Sequence, residues 1–151
     1  MKSPRAYLRP RAAVLDIGAH DGDTAKSYAE IVGSTGYVLA VEPHPVSFAA
    51  LAAYCEGHPT VACLNVAVGP RVGRDTLYSD GRDAQRSSLW AANTIDAGPS
   101  YPVTVTTVDV LVRSMPRQPR LIKVDAQGAE VGILQGATET LQLPIAWYIE
   151  V

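Results

Sequence analysis

Apolar residues recur along this chain either in short unbroken runs or at helical intervals, and the order of the two patterns predicts the architecture. Residues 12–17 form an apolar run broken only by Asp16, the pattern of a strand buried on both faces. Past the turn from Gly18 to Gly22 the period changes. Ala25, Tyr28, Ala29 and Val32 stand at i, i+3, i+4 and i+7, and Gly33 ends the helix. Residues 37–41 read as a second strand ending in Glu42-Pro43, after which Pro45 opens an Ala-rich helix to about residue 55. Residues 60–68 predict a third strand, interrupted by Asn65 and halted by Gly69-Pro70.

The stretch 69–102 is rich in Gly, Pro, Asp, Arg and Ser. With an Asp80-Gly81 turn signal and apolar pieces near Leu77 and Leu89-Trp90, it reads as an insertion made of a weak hairpin and a mobile loop. Residues 103–108 are β-branched, and Asp109 is placed to cap a short helix reaching Arg113. Leu121 to Val124 predict a strand. The segment 128–141 carries Ile133, Leu134, Ala137 and Leu141 at helical spacing, is stopped by Pro144, and is followed by a closing strand over 145–151. Strands alternating with helices call for a mostly parallel sheet covered on both faces, a Rossmann-like three-layer α/β/α sandwich.

Composition narrows the picture. A chain of 151 residues, 47% hydrophobic, supports one core and one domain over 1–151. A formal net charge of −2 with scattered arginines offers no attraction for nucleic acid. No apolar stretch approaches a bilayer-spanning length, and the basic start lacks the apolar region of a signal peptide, so no membrane partner and a cytoplasmic location are expected. Cys55 and Cys63 lack metal-ligand spacing and read as buried thiols.

The candidate chemistry gathers at strand ends, where ligands bind in such sheets at the point of strand-order reversal. Asp16, Gly18 and Gly22 form D-x-G-x-x-x-G, a cofactor turn without the G-x-G-x-x-G that seats a dinucleotide pyrophosphate. This spacing favours S-adenosylmethionine and disfavours a nicotinamide-dependent oxidoreductase. Asp16 would hold the ligand's amino group or accept backbone N–H bonds of the turn. His20 would contact the ligand carboxylate or act as a base. Glu42 occupies the place of a ribose-binding acid, against a solvated strand-end charge; Asn65 would meet an adenine edge or shape a turn. Lys123 and Asp125 alternate on one face before Gly128, which aims Asp125 at the crevice; Lys123 would pair with Asp125 or Glu130, with or without a catalytic role. His44 and His58 read as surface loop residues, and no metal site is expected.

With Asp16-Ile-Gly-Ala-His-Asp-Gly22, Glu42-Pro-His-Pro45, Asn65-Val-Ala67, Thr107-Val-Asp109 and Lys123-Val-Asp-Ala-Gln-Gly-Ala-Glu130 in order, the chain resembles the FkbM-type methyltransferases over residues 13–151. The resemblance implies a class I S-adenosylmethionine-dependent enzyme, in which Asp16, Gly18 and Glu42 bind the cofactor and Asp125 and Glu130 face the reaction crevice. It also implies O-methylation of a small-molecule or sugar acceptor. His20 stands where the family usually has Asn, and Gln127 where it usually has Glu. Class I enzymes usually add two strands after the fifth. An uncovered edge at the C-terminal strand is expected to favour a homo-oligomer. The rival reading is a non-catalytic cofactor-binding or interaction domain.

Overall fold

The computed structural model describes residues 4–80 and 97–150. Its main sheet has five parallel strands in the order β3-β2-β1-β7-β8: β1 (Ala13–Ile17), β2 (Tyr37–Val41), β3 (Val61–Leu64), β7 (Leu121–Val124) and β8 (Ala146–Ile149). Strand order reverses at β1, where one crossover runs to β2 and the later chain returns to β7. Parallel strands need crossovers, and helices α1 (Asp23–Val32), α2 (Pro45–Glu56), α3 (Val108–Ser114) and α4 (Glu130–Gln135) supply them.

Every residue of β1 is buried, and alternation divides its side chains between two cores. Ala13, Leu15 and Ile17 pack with Val108 and Leu111 of α3 and Ile133 of α4; Val14 packs with Ala25, Tyr28 and Val32 of α1 and Leu51 of α2. The expected three-layer Rossmann-like sandwich is therefore present. Helix α1 ends as the sequence predicts, at Gly33 with φ 69°, and α2 opens on Pro45.

The third predicted strand is two strands. β3 ends at Leu64, the chain turns at Asn65, and β4 (Ala67–Val68) joins a second, three-stranded sheet ordered β4-β6-β5, with β5 (Gly73–Asp80) and β6 (Ala97–Thr106) antiparallel. The insertion is thus more regular than a weak hairpin. Pro102 is tolerated within β6 because β4 pairs only with Val105 and Thr106, leaving that side of β6 without a ladder at residue 102. Gly81 and Leu89-Trp90, the expected turn and loop, lie outside the described residues.

Two helix expectations need correction. Thr107, not Asp109, caps α3, its Oγ1 accepting from the Val110 amide at 3.3 Å. Asp109 reaches across to the 138–140 segment, accepting from Thr140 Oγ1 (2.6 Å), the Thr140 amide (2.8 Å), the Glu139 amide (3.1 Å) and Thr138 Oγ1 (3.2 Å). The helix predicted over 128–141 is only α4, with a separate 3-10 turn at Thr140–Gln142. The break follows from packing: a Cβ on Gly136 would lie 2.3 Å from the Gly69 carbonyl oxygen, and the Gly136 carbonyl accepts from the Asp109 amide at 3.2 Å.

Burial raises the Asp109 carboxyl pKa, but the donors from Thr140, Glu139 and Thr138 outweigh it and hold the group below its ordinary value of 3.8. Its stabilisation is therefore full above that value and is lost as pH falls through the lower folded-state value. Asp109→Ala should lower the unfolding free energy at neutral pH by about 2–3 kcal/mol, read by urea denaturation, and shrink the acid limb of the stability curve. An unchanged urea midpoint would show that these bonds add nothing net.

Neither Cys55 nor Cys63 is fully buried. Both are half-buried free thiols, and burial with the neighbouring Cys63 thiol pushes Cys55 up to about 12.

Candidate active site

At the carboxyl ends of β1, β2 and β7 the turns leave a crevice of about 310 Å³. Its polar lining comes from His20 and Asp21 in the turn after β1, Asp23 and Thr24 at the start of α1, Lys123 of β7, and Asp125 and Gln127 in the turn beyond it; Val41, Val66, Val68, Leu77 and Ile133 supply apolar wall. Asp21, Asp23, Glu42 and Asp125 oppose the lone ammonium of Lys123, so the lining is net acidic.

Gly18 is indispensable to this geometry. Its φ is +75°, and a Cβ there would lie 1.8 Å from the Asp125 carbonyl oxygen, so the turns after β1 and β7 touch backbone to backbone. Gly22 (φ +94°) does a different job: it starts α1 against Leu51 and does not line the crevice. His20, at φ 51°, occupies the left-handed region that Asn, Asp and His tolerate best. Its amide donates to Glu42 Oε2 at 2.9 Å, and its Nδ1 lies 3.5 Å from Asp21 Oδ1.

Glu42 is not a solvated charge. It is 7% exposed, it lines the crevice, and its Oε1 accepts from the His44 amide at 2.8 Å. Burial raises its pKa, opposed by the His44 and His20 amides. Each carboxylate oxygen has accepted one backbone bond and retains a lone pair for a ligand hydroxyl. Asn65 is outside the crevice lining. Its Nδ2 donates to the carbonyls of Glu42 (2.8 Å) and Pro43 (3.1 Å), the turn-shaping role weighed for it.

Asp16 fills neither role expected of it. It is fully buried, absent from the crevice lining, and neither oxygen accepts a hydrogen bond. The parallel register pairs it with Lys123, whose Nζ lies 3.4 Å from Asp16 Oδ1 and 3.4 Å from Asp125 Oδ2 and donates to the Gly18 carbonyl at 3.1 Å. Burial pulls the Lys123 ammonium pKa down; Asp16 and Asp125 outweigh it and hold it above its usual value. The expected Lys123–Asp125 contact is present, whereas Glu130 turns away. Glu130 Oε1 accepts from the amides of Gly128 (3.0 Å) and Ala126 (3.2 Å), closing the turn before α4, and Glu130 does not line the crevice. Asp125 does line it, with Oδ1 accepting from Gln127 Nε2 at 3.0 Å.

His44 is also not a surface residue. It is 3% exposed, caps α2 by accepting from the Ser47 amide at 3.5 Å, and places Nε2 3.4 Å from Ser79 Oγ and its ring edge-on to Tyr101. It ties α2 to the second sheet. Leu77, legible in sequence as part of a hairpin but not as a crevice residue, is supplied by that sheet. His58 is exposed and stacks on Tyr54, as a surface residue should. Among the described residues no cluster of three metal-ligating side chains occurs, and no helix is long and apolar enough to cross a membrane.

A parallel sheet wrapped by helices, with an acidic crevice at its switch point, defines a Rossmann-like domain. The chain belongs to the FkbM methyltransferase family: the family's methyltransferase FkbM domain matches residues 16–151. A solved methyltransferase FkbM from Methylobacillus flagellatus shares the fold, with a TM-score of 0.64 at 15% sequence identity. The superposition covers 97% of this chain and 39% of that one, so this chain spans about two-fifths of its length. No curated protein matches the chain in sequence.

Proposed function

We propose that the crevice binds S-adenosylmethionine and that the protein transfers its methyl group to a hydroxyl oxygen of a small-molecule or sugar acceptor. The observation that carries this reading is the composition of the crevice: charged groups at the turns after β1 and β7 suit a zwitterionic amino-acid tail, and the apolar wall suits a nucleoside. Its volume lies at the lower end of those that enclose small ligands.

When bound, the cofactor supplies a methyl group on a cationic sulfur, whose transfer makes an oxygen–carbon bond, breaks a sulfur–carbon bond and leaves the electron pair on sulfur. The protein's part is placement and electrostatics. Glu42, with its remaining lone pairs, receives ribose hydroxyls. Asp125, at the crevice wall with its carboxylate held by Gln127 and Lys123, orients the acceptor hydroxyl and takes its proton. The net acidic lining favours a cationic ligand centre.

Isothermal titration calorimetry with S-adenosylhomocysteine and NAD tests the reading, with binding expected for the first and none comparable for the second. Glu42→Gln should weaken S-adenosylhomocysteine about 10- to 100-fold, because hydrogen bonds to a charged group contribute about 1.5–3 kcal/mol. Stability should also fall, by about 1–3 kcal/mol, since one of the two amides now held by carboxylate oxygens would face an NH₂ group. A folded Glu42→Gln protein with the wild-type dissociation constant would take Glu42 out of the binding site.

A further inference from the structure

A single buried cation joins the two turns that flank the crevice. Lys123, 6% exposed, donates to the carbonyl of Gly18 in the turn after β1 and faces the carboxylate of Asp125 in the turn after β7. Asp16 belongs to neither turn and does not reach the crevice. A fully buried carboxylate without a hydrogen-bond donor costs the fold free energy, and the cation that faces it is Lys123, its register partner on the neighbouring strand.

We propose that Asp16 is a positioning residue that acts through Lys123: its buried carboxylate holds the ammonium where it straps the Gly18 carbonyl to the Asp125 carboxylate, and so sets the spacing and charge of the crevice. The strap is a property of the ligand-free protein; only its effect on binding rests on the reading of the crevice as a methyl-donor site. Without the negative charge of Asp16, the ammonium has one carboxylate left, Asp125, and shifts toward it. That shift weakens the bond to Gly18 and neutralises Asp125 more fully. Gly18 has no slack to absorb the change, because its α-carbon sits against the Asp125 carbonyl.

The groups that face Asp16 are Lys123 of β7, Asp125 beyond it, Glu42 at the end of β2 and Tyr28 of α1. Burial pushes the Asp16 carboxyl from 3.8 up to about 6, with Lys123 pulling the other way. Because the folded-state value is the higher one, Asp16's own contribution to stability falls as pH rises through that window. The strap has the opposite dependence, since it needs the ionised carboxylate. A carboxylate with a purely structural role would move stability and binding together.

Asp16→Asn, which imitates the protonated form, is the test, with the Lys123 ammonium followed by NMR between about pH 5 and pH 8. In the wild-type protein without ligand, the Lys123 signal and the Gly18 and Asp125 amides should move in a common step near pH 6. In Asp16→Asn that step should vanish while the fold is at least as stable at neutral pH. The dissociation constant for S-adenosylhomocysteine should rise about 10-fold in Asp16→Asn at neutral pH and come within about twofold of that of the wild type at about pH 5. A Lys123 signal without a step at any pH at which the protein stays folded, or one whose step survives the substitution, overturns the proposal, as does unchanged binding by a folded Asp16→Asn. Should Asp16→Asn not fold, the wild-type titration alone decides. If the wild type binds no S-adenosylhomocysteine at any pH, the methyl-donor reading falls, and the ligand-free Lys123 titration still decides the strap.

Discussion

Gly18→Ala should all but abolish ligand binding and cost the fold about 3 kcal/mol. A left-handed backbone at a residue with a Cβ costs about 1–2 kcal/mol, and forcing a methyl group into filled space costs about 1–3 kcal/mol more. The obstacle is the Asp125 carbonyl, 1.8 Å from the new Cβ, and backbone cannot rotate aside as a side chain would. The turn after β7 must therefore move, carrying Asp125 with it. For a domain of this size the loss corresponds to a fall in melting temperature of roughly 6–12 °C, measured by calorimetry. Gly33→Ala separates strain from contact by its effect on binding. With φ +69° and ψ −175° it lies in a region that only glycine favours and should cost about 1–3 kcal/mol. No atom lies within 4 Å of the new Cβ and it is remote from the crevice, so ligand binding should be unchanged. Wild-type ligand binding by a folded Gly18→Ala would show that the contact between the two turns is not tight.

Asp125→Asn should lower methyl transfer at saturating cofactor by about 100-fold or more, the range of general acid–base assistance, and weaken S-adenosylhomocysteine by about 10-fold, because it also removes one end of the Lys123 strap. Asparagine keeps the shape and the Gln127 contact at Oδ1, while the charge facing Lys123 and the capacity to take a proton are lost. The measurement is single-turnover transfer by the full-length protein, after a screen of hydroxylated acceptors, for wild type and variant side by side. Equal rates would remove Asp125 from the mechanism. Transfer by neither protein, with S-adenosylhomocysteine still bound, would favour a cofactor-binding domain over an enzyme.

Periodicity and punctuation by themselves determined the main sheet and most of its crossovers. β2 coincides with an unbroken apolar run and β7 with one broken only by Lys123, and α1 and α2 run between Gly and Pro signals, because buried strands and helices each leave a local pattern. Asp16, Gly18, Glu42 and Asp125 were legible as strand-end residues for the same reason. What those side chains touch was decided only by tertiary structure. The pairing of Asp16 with Lys123 depends on which strand lies beside β1, a long-range choice 107 positions apart that no local window contains. Glu130 and Asn65 look like site residues in sequence, yet each spends its polar atoms on nearby backbone, since a turn leaves amides or carbonyls that must find partners. The second sheet reads in sequence only as a weak hairpin and a separate β-branched run, because its central strand contains Pro102, which local rules read as a break and which the two-residue β4 leaves unopposed. That sheet buries His44 against Tyr101 and brings Leu77 into the crevice, contacts set by how the two sheets pack and not by any spacing along the chain.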